Sequence, residues 1–139
     1  MDVVCENFST MSFELIKIDD VKTEASTMTA QIQFELDGRR GRANLKGKID
    51  TGAQGNILPI RLYRQMFPEH VDDAGCPREG VLEPSSVTLK AYGGMRIRHF
   101  GECTIQCFLG KKSYRANFYV TDTTGAALFG LPLIRGLNL

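Results

Sequence analysis

The sequence predicts an all-β domain with one or two short helices. Segments in which apolar and polar residues alternate recur along the chain, and glycine and proline turns separate them. The chain has no internal repeat, low-complexity tract or heptad run. Its 139 residues, 42% hydrophobic and 24% charged, give it the length and composition of one globular unit with its own core.

The first 27 residues mix short apolar runs with Ser, Thr, Asp and Lys. This composition predicts an N-terminal arm or edge strand over residues 1–27, leading into a domain that spans residues 28–139. The sequence leaves open whether the arm is structural or inhibitory.

A β-hairpin is predicted at the start of the domain. From Met28 the chain alternates, and one face carries the apolar residues Ala30, Ile32, Phe34 and Leu36. Asp37-Gly38 is a turn sequence, and a hydrophobic strand over residues 45–49 follows it. The hairpin therefore leads directly into Asp50.

A short helix is predicted next, over residues 60–67. It ends before Pro68, because proline disfavours helical backbone at the residue that precedes it. Residues 69–84 are polar, contain proline and glycine, and are predicted to form a loop.

A second hairpin is predicted around Gly93-Gly94, with strands over residues 87–91 and 95–99. Arg96 and Arg98 on its returning strand are expected to be solvated. Two further strands, over residues 102–109 and 113–121, flank a turn, and a mainly apolar segment over residues 127–135 closes the chain.

Composition gives no support to several function classes. Seventeen basic and sixteen acidic residues leave a net charge of +1, so no excess charge attracts the chain to nucleic acid or to a membrane surface. No apolar run reaches the roughly 18–20 residues that span a bilayer, and the N-terminus carries Asp2 and Glu6 where a signal peptide is basic. We therefore expect a cytoplasmic protein without a membrane or nucleic-acid partner.

The four cysteines are expected to be free thiols, because they are few and scattered and form no Cys-x-x-Cys pair. Cys103 and Cys107 lie on one face of a predicted strand, where packing is a better explanation than metal binding. His70 and His99 have no second ligand at metal-binding spacing and are expected to be hydrogen-bonded or solvated. No metal or organic cofactor is predicted.

The candidate catalytic motif is Asp50-Thr51-Gly52-Ala53, which follows one hydrophobic strand and precedes the apolar pair Ile57-Leu58. Alone, Asp-Thr-Gly is a common turn sequence. Its position between two apolar strands is what makes it informative.

Three motifs in this order resemble the retropepsin family of aspartic proteases, and most closely the proteases of gypsy-type retrotransposons. The resemblance covers roughly residues 28–139. Its motifs are Asp50-Thr51-Gly52-Ala53 with Asn56-Ile57-Leu58-Pro59, then Ala91-Tyr92-Gly93-Gly94, then Leu128-Phe129-Gly130 with Leu131-Pro132.

The resemblance implies a closed β-barrel with a flap hairpin, assembled as a homodimer. Asp50, Thr51 and Gly52 would form the catalytic loop, with one Asp50 from each chain. Two carboxylates about 3 Å apart share a proton, so the pair acts as base and acid together. Extended polypeptide substrate would contact the side of the loop and the flap tip, at Ala53, Gln54, Tyr92, Gly93, Gly94 and Met95.

Because the chain has one Asp-Thr-Gly, the second carboxylate has to come from a twin chain. Asp122-Thr123-Thr124-Gly125 has one residue too many and is interpreted as a turn. By resemblance the biological role is Gag-Pol polyprotein processing, in the cytoplasm and within a virus-like particle.

Two positions depart from the retroviral pattern. The acid that usually follows Asp-Thr-Gly-Ala is Gln54, and the arginine that usually follows the C-terminal glycine is Leu131, so that ion pair cannot form. Gln54 also occurs in cellular retroviral-like proteases. A cellular or domesticated protease acting on host proteins, and a catalytically silent dimeric peptide-binding module, remain alternatives.

Overall fold

The structure is a computed structural model that describes residues 14–18, 28–36, 41–91 and 94–139. The described strands are β1 (Glu14–Ile18), β2 (Met28–Glu35), β3 (Arg42–Ile49), β4 (Asn56–Pro59), β5 (Val87–Ala91), β6 (Arg96–Ile97), β7 (His99–Leu109), β8 (Lys112–Thr121) and β9 (Ala127–Phe129). The helices are α1 (Ile60–Met66) and α2 (Leu131–Leu137), with a 3-10 turn at Pro68–His70. Neither these helices nor any other described segment makes a helix long and apolar enough to cross a membrane.

Six strands form a closed barrel in the order β2-β3-β9-β4-β8-β7, which confirms the predicted all-β closed-barrel fold. β2 and β3 pair antiparallel along their whole length, and β7 pairs antiparallel with β8 and with the end of β2. β9 lies parallel to β3, and β4 lies parallel to β8. The barrel thereby places the start of the Asp50 loop, at the end of β3, beside the end of β9.

The alternating pattern buries one face of β2. In β2, Ile32 and Phe34 are buried while their neighbours are exposed, as the sequence predicted. Helix α1 begins at Ile60 and ends at Met66, close to the predicted segment, and its buried side is fixed by Tyr63. The predicted turn at Asp37-Gly38 lies outside the described residues.

The second hairpin is shorter than predicted on its returning side. β5 has the predicted bounds, but β6 contains only Arg96–Ile97. His99 pairs with Thr121, so it belongs to the barrel strand β7, and the register shifts between His99 and Gly101. His99 is therefore part of the barrel and not of the hairpin.

A second, three-stranded sheet has the order β1-β5-β6. β1 comes from the N-terminal arm and pairs with β5 in parallel. Tyr92 and Gly93, at the tip of this hairpin, lie outside the described residues.

Two cysteine expectations have different outcomes. Cys103 and Cys107 are free thiols that pack with the barrel core, as expected. Burial raises the pKa of each to about 12, so both thiols are unreactive at neutral pH. The free-thiol expectation is wrong at Cys76, which is disulfide-bonded, because spacing along the sequence does not determine which sulfurs meet in space.

Candidate active site

Asp50 begins a tight loop at the end of β3. Its backbone N–H donates to Phe129 O at 3.1 Å, and its backbone carbonyl accepts from Ala53 N–H at 3.2 Å. The side-chain Oδ1 accepts from Gly52 N–H at 2.9 Å. This is the local hydrogen bonding by which aspartate stabilises a turn, and it orients a carboxylate that is only 8% exposed.

The loop is anchored from beneath by the segment that joins β9 to α2. Leu131 N–H donates to Ala53 O at 2.9 Å. A Cβ atom at Gly130 would collide with Gly55 O and lie 2.9 Å from Ala53 O. Glycine is therefore required at position 130 because two backbone segments touch there. This arrangement accounts physically for the Phe129-Gly130 motif.

Asn56 is a positioning residue of the loop whose role the sequence analysis missed. Its side chain is 1% exposed. Nδ2 donates to Asn117 O at 2.9 Å, and Oδ1 accepts from Gly130 N–H at 2.9 Å. One carboxamide thus ties the residue that follows the Asp50 loop to β8 and to the Gly130 segment. The available signal was an amide at the start of the otherwise apolar segment 56–59, since buried polar side chains are almost always hydrogen-bonded.

Phe129 is accommodated by a glycine on the neighbouring strand. β9 runs parallel to β3 with Phe129 opposite Ile49. A Cβ at Gly47 would lie 2.6–2.8 Å from the Phe129 ring. The absence of a side chain at Gly47 therefore makes room for the fully buried Phe129 ring next to the Asp50 loop.

The predicted loop residues differ in accessibility. Thr51, Gly52 and Gln54 are exposed, while Ala53 is fully buried. The Ala53 side chain lies in a small apolar cluster, so Thr51, Gly52 and Gln54 are the loop residues with most surface open to a ligand or a second chain.

The tip of the second hairpin is held by two backbone hydrogen bonds. Gly94 N–H donates to Ala91 O at 3.0 Å, and Ala91 N–H donates to Met95 O at 2.8 Å. Gly94 has a φ of +88°, which glycine adopts without strain. Met95 is 76% exposed.

The structure brings this hairpin and the Asp50 loop together. Val87 and Leu89 of β5 are buried in one apolar cluster with Ala53, Ile57 and Tyr119. Met28, the other large apolar side chain that is strongly exposed in the described residues, pairs with Ile49 next to Asp50. The sequence did not identify Met28 as a surface residue, because alternation alone does not show which end of a strand extends beyond the packed core.

Arg98 and His99, near the base of the hairpin, have different environments. Arg98 is exposed, as expected, and it also forms an ion pair with Asp122 at 2.8 Å, while Asp122 N–H donates to Arg98 O. His99 is 4% exposed, and its Nε2 has no hydrogen-bond partner among the described residues. Burial lowers the pKa of His99. His70, by contrast, is hydrogen-bonded to the Tyr63 hydroxyl as expected.

A concave site in the described residues lies away from Asp50. It is a groove of about 700 Å³ between the end of β2, α1 and β7, and Asp50 does not line it. The groove is rimmed by Glu35, Glu83 and Glu102. Burial, together with the nearby Glu83 charge, raises the pKa of Glu102 against the opposing hydrogen bond from Ser85. No group of three or more potential metal ligands occurs in the described residues.

Comparison with known proteins finds similarity at the level of structure. No family model matches the sequence, and no curated protein matches it. The EIAV protease, solved in complex with the inhibitor HBY-793, is similar with a TM-score of 0.57 and 15% identity, over 86% of this chain and 98% of that chain. A retropepsin-like aspartic protease from Rickettsia conorii is similar with a TM-score of 0.50 and 16% identity, over 81% of each chain. The chain therefore has the retropepsin-like fold, with Asp50 on the loop that follows β3.

Proposed function

We propose that the chain is one protomer of a homodimeric aspartic endopeptidase, in which Asp50 is the catalytic carboxylate. The observation that carries the proposal is the Asp50 loop itself. Its carboxylate is largely buried and held by Gly52 N–H, while Thr51 and Gly52 are exposed beside it. An aspartate that is fixed in orientation, within a retropepsin-like fold, is what water activation requires.

The second carboxylate would come from Asp50 of a twin chain across a two-fold axis. The other candidate in the chain, Asp122, is in an ion pair with Arg98. Thr51 is exposed at the edge of the loop, where its hydroxyl could donate to the partner's loop and so hold the two aspartates together. A single chain would then be inactive, and activity would depend on protein concentration.

Catalysis would proceed by direct attack of water on the peptide carbonyl. The ionised carboxylate accepts a proton from the water as its oxygen bonds to the carbonyl carbon, and the protonated carboxyl donates its proton to the carbonyl oxygen. The tetrahedral intermediate then collapses: one of its hydroxyl groups gives a proton to the carboxylate that is now ionised, the C–N bond breaks, and the amide nitrogen leaves with the proton held by the other carboxyl. Gly52 N–H supports this cycle by holding Oδ1 of Asp50.

The second hairpin would act as the flap over an extended polypeptide substrate. Its strand β5 packs on Ala53 of the catalytic loop, so the hairpin stands next to the reacting groups. Backbone groups at the tip, at Tyr92, Gly93 and Gly94, would hydrogen-bond the substrate as an added strand. The exposed Met95 and Met28 would supply apolar contacts, and Gln54 a polar one, since exposed apolar side chains at such a site favour a ligand or a partner.

For the biological role we propose processing of a retrotransposon Gag-Pol polyprotein, in the cytoplasm and within a virus-like particle. This rests on the motif resemblance. A host-protein substrate is the alternative, and the domains encoded beside this chain distinguish the two: a reverse transcriptase supports the Gag-Pol role.

The test is cleavage of an unfolded protein substrate between about pH 4 and 7, where carboxylate dyads titrate. The chain is compared with Asp50→Asn, which keeps the size of the side chain but cannot share a proton as a carboxylate pair does. Asp122→Asn is the matched control, because it makes the same change at the other Asp-Thr sequence. We expect loss of cleavage only in Asp50→Asn.

Equal cleavage by both variants would contradict the proposed role of Asp50. If the unsubstituted chain sediments as a dimer and cleaves nothing, the peptide-binding module becomes the better explanation.

A further inference from the structure

The strand β5 has both of its edges occupied in this structure. On one edge β6 pairs with it at Leu89↔Ile97 and Lys90↔Arg96. On the other edge β1 pairs with it in parallel along its whole length, from Glu14↔Val87 to Ile18↔Ala91. A segment of the N-terminal arm is thus seated as a peptide strand on the hairpin, as far as the residue that begins the tip turn.

The edge taken by β1 is the one that an added peptide would need. A strand has two edges, and the β6 edge is closed by the hairpin's own connection. Any extended peptide that adds to β5 by backbone hydrogen bonding must therefore use the edge where β1 lies. The two cannot be there at once.

β5 is anchored independently of β1. Leu89 is fully buried and Val87 nearly so, in the cluster that contains Ala53 of the Asp50 loop. β1 belongs to a small sheet that is separate from the closed barrel, and its parallel pairing is slightly less stable per residue than antiparallel pairing. The hairpin is therefore a fixed docking edge, and β1 is a strand that can exchange.

We propose that the outer edge of β5 is a binding site for an extended peptide and that Glu14–Ile18 is its resident occupant, in competition with substrate. This rests on the proposed function for the identity of the substrate, but not for the existence of the site. The ligand class is an extended segment rich in aliphatic residues, as in Glu-Leu-Ile-Lys-Ile. The N-terminal arm is then a tethered competitor of the polypeptide that the enzyme cleaves.

The size of the effect follows from occupancy. A tethered segment acts at an effective concentration of about 1 mM, so weak pairing is enough to fill the edge. If β1 fills the edge about nine-tenths of the time, a competing peptide binds with an apparent Kd raised about tenfold. Release of β1 should lower the apparent Kd of the competing peptide about tenfold.

The experiment replaces two successive residues of β1 by proline, Ile16→Pro with Lys17→Pro. Backbone N–H groups alternate along a strand, so one of the two must point at β5, and proline removes it. The matched control, Ile16→Val with Lys17→Arg, keeps both N–H groups and the strand propensity. Both chains also carry Asp50→Asn, so that binding is measured without cleavage.

The probe is a fluorescently labelled synthetic peptide of residues 11–20 of this chain. We expect it to bind the double-proline chain about tenfold more tightly than the control chain. In hydrogen exchange, the amides of β5 should lose protection in the double-proline chain and regain it when the peptide is added. Equal binding by the two chains, or binding by neither, would overturn the proposal, as would unchanged exchange in β5.

A second pair of substitutions covers the case in which the prolines prevent folding. Ile16→Gly with Lys17→Gly lowers strand propensity without removing a donor and should shift binding in the same direction, by less. In the catalytically intact background, release of β1 should lower KM and leave kcat unchanged. A lower kcat with unchanged KM would mean that β1 supports the hairpin, and would contradict competition. Because peptide binding is read in the Asp50→Asn background, failure of the protease proposal and failure of this one are distinguishable.

Discussion

Replacing Asn56 by alanine should destabilise the fold strongly, although the residue is neither catalytic nor large. Alanine removes the acceptor of Gly130 N–H and the donor to Asn117 O, both at 2.9 Å from a side chain that is 1% exposed. Each buried backbone group left unsatisfied costs about 1–3 kcal/mol, so the loss of two partners should lower the free energy of unfolding by about 2–6 kcal/mol. That is a large fraction of the roughly 5–15 kcal/mol by which a domain is stable.

Urea denaturation followed by circular dichroism measures this change. With a slope of about 2 kcal/mol per M, the midpoint should fall by about 1–3 M. Asn44→Ala is the matched control, because it makes the same substitution at an exposed strand position, where changes usually stay within about 0.5 kcal/mol. Asn56→Asp keeps the acceptor for Gly130 but puts an oxygen against Asn117 O, so it should also destabilise at neutral pH. An Asn56→Ala midpoint indistinguishable from that of Asn44→Ala would refute the assigned role of Asn56.

Three further predictions test the surroundings of the loop. Gly47→Ala should lower the free energy of unfolding by about 1–3 kcal/mol through overpacking against the Phe129 ring. The double variant with Phe129→Leu should recover part of this loss in thermal unfolding, and no recovery would contradict the contact. Burial lowers the pKa of His99 from 6.5, so as the pH falls below 6.5 the histidine is protonated in the unfolded state before it is protonated in the folded state, and the free energy of unfolding decreases. His99→Phe should flatten the dependence of the unfolding free energy on pH between 7 and 5, which urea titrations at each pH check. Arg98→Ala should lower stability by less than about 1 kcal/mol, since both partners of the ion pair with Asp122 are exposed, and a larger loss in the same assay would show that the pair is structural.

Local pattern was enough to predict most of the elements. The period-2 alternation of β2, the proline that ends α1 and Gly94 at the hairpin tip each act within a few residues. The position of Asp50 after a hydrophobic strand could be predicted for the same reason. These features depend on near neighbours in the chain, so a single sequence carries them.

The contacts that hold the candidate site could not be predicted in the same way. Asn56 bonds to residues 61 and 74 positions away, and Gly47 contacts Phe129 across a parallel strand pair. The pairing of β1 with β5 is equally distant in sequence. No periodicity encodes such partners, because they depend on how the barrel closes.

The most direct test of the homodimer mechanism is a mixing experiment with wild-type and Asp50→Asn chains. Total protein is fixed well above the concentration at which dimers dissociate, and the chains are allowed to exchange. If one Asp50 from each chain is required, an equal mixture should keep about a quarter of the wild-type activity, because only that share of random pairs carries two carboxylates. Retention of about half the activity would mean that each chain works alone with its own Asp50, and would contradict the shared active site.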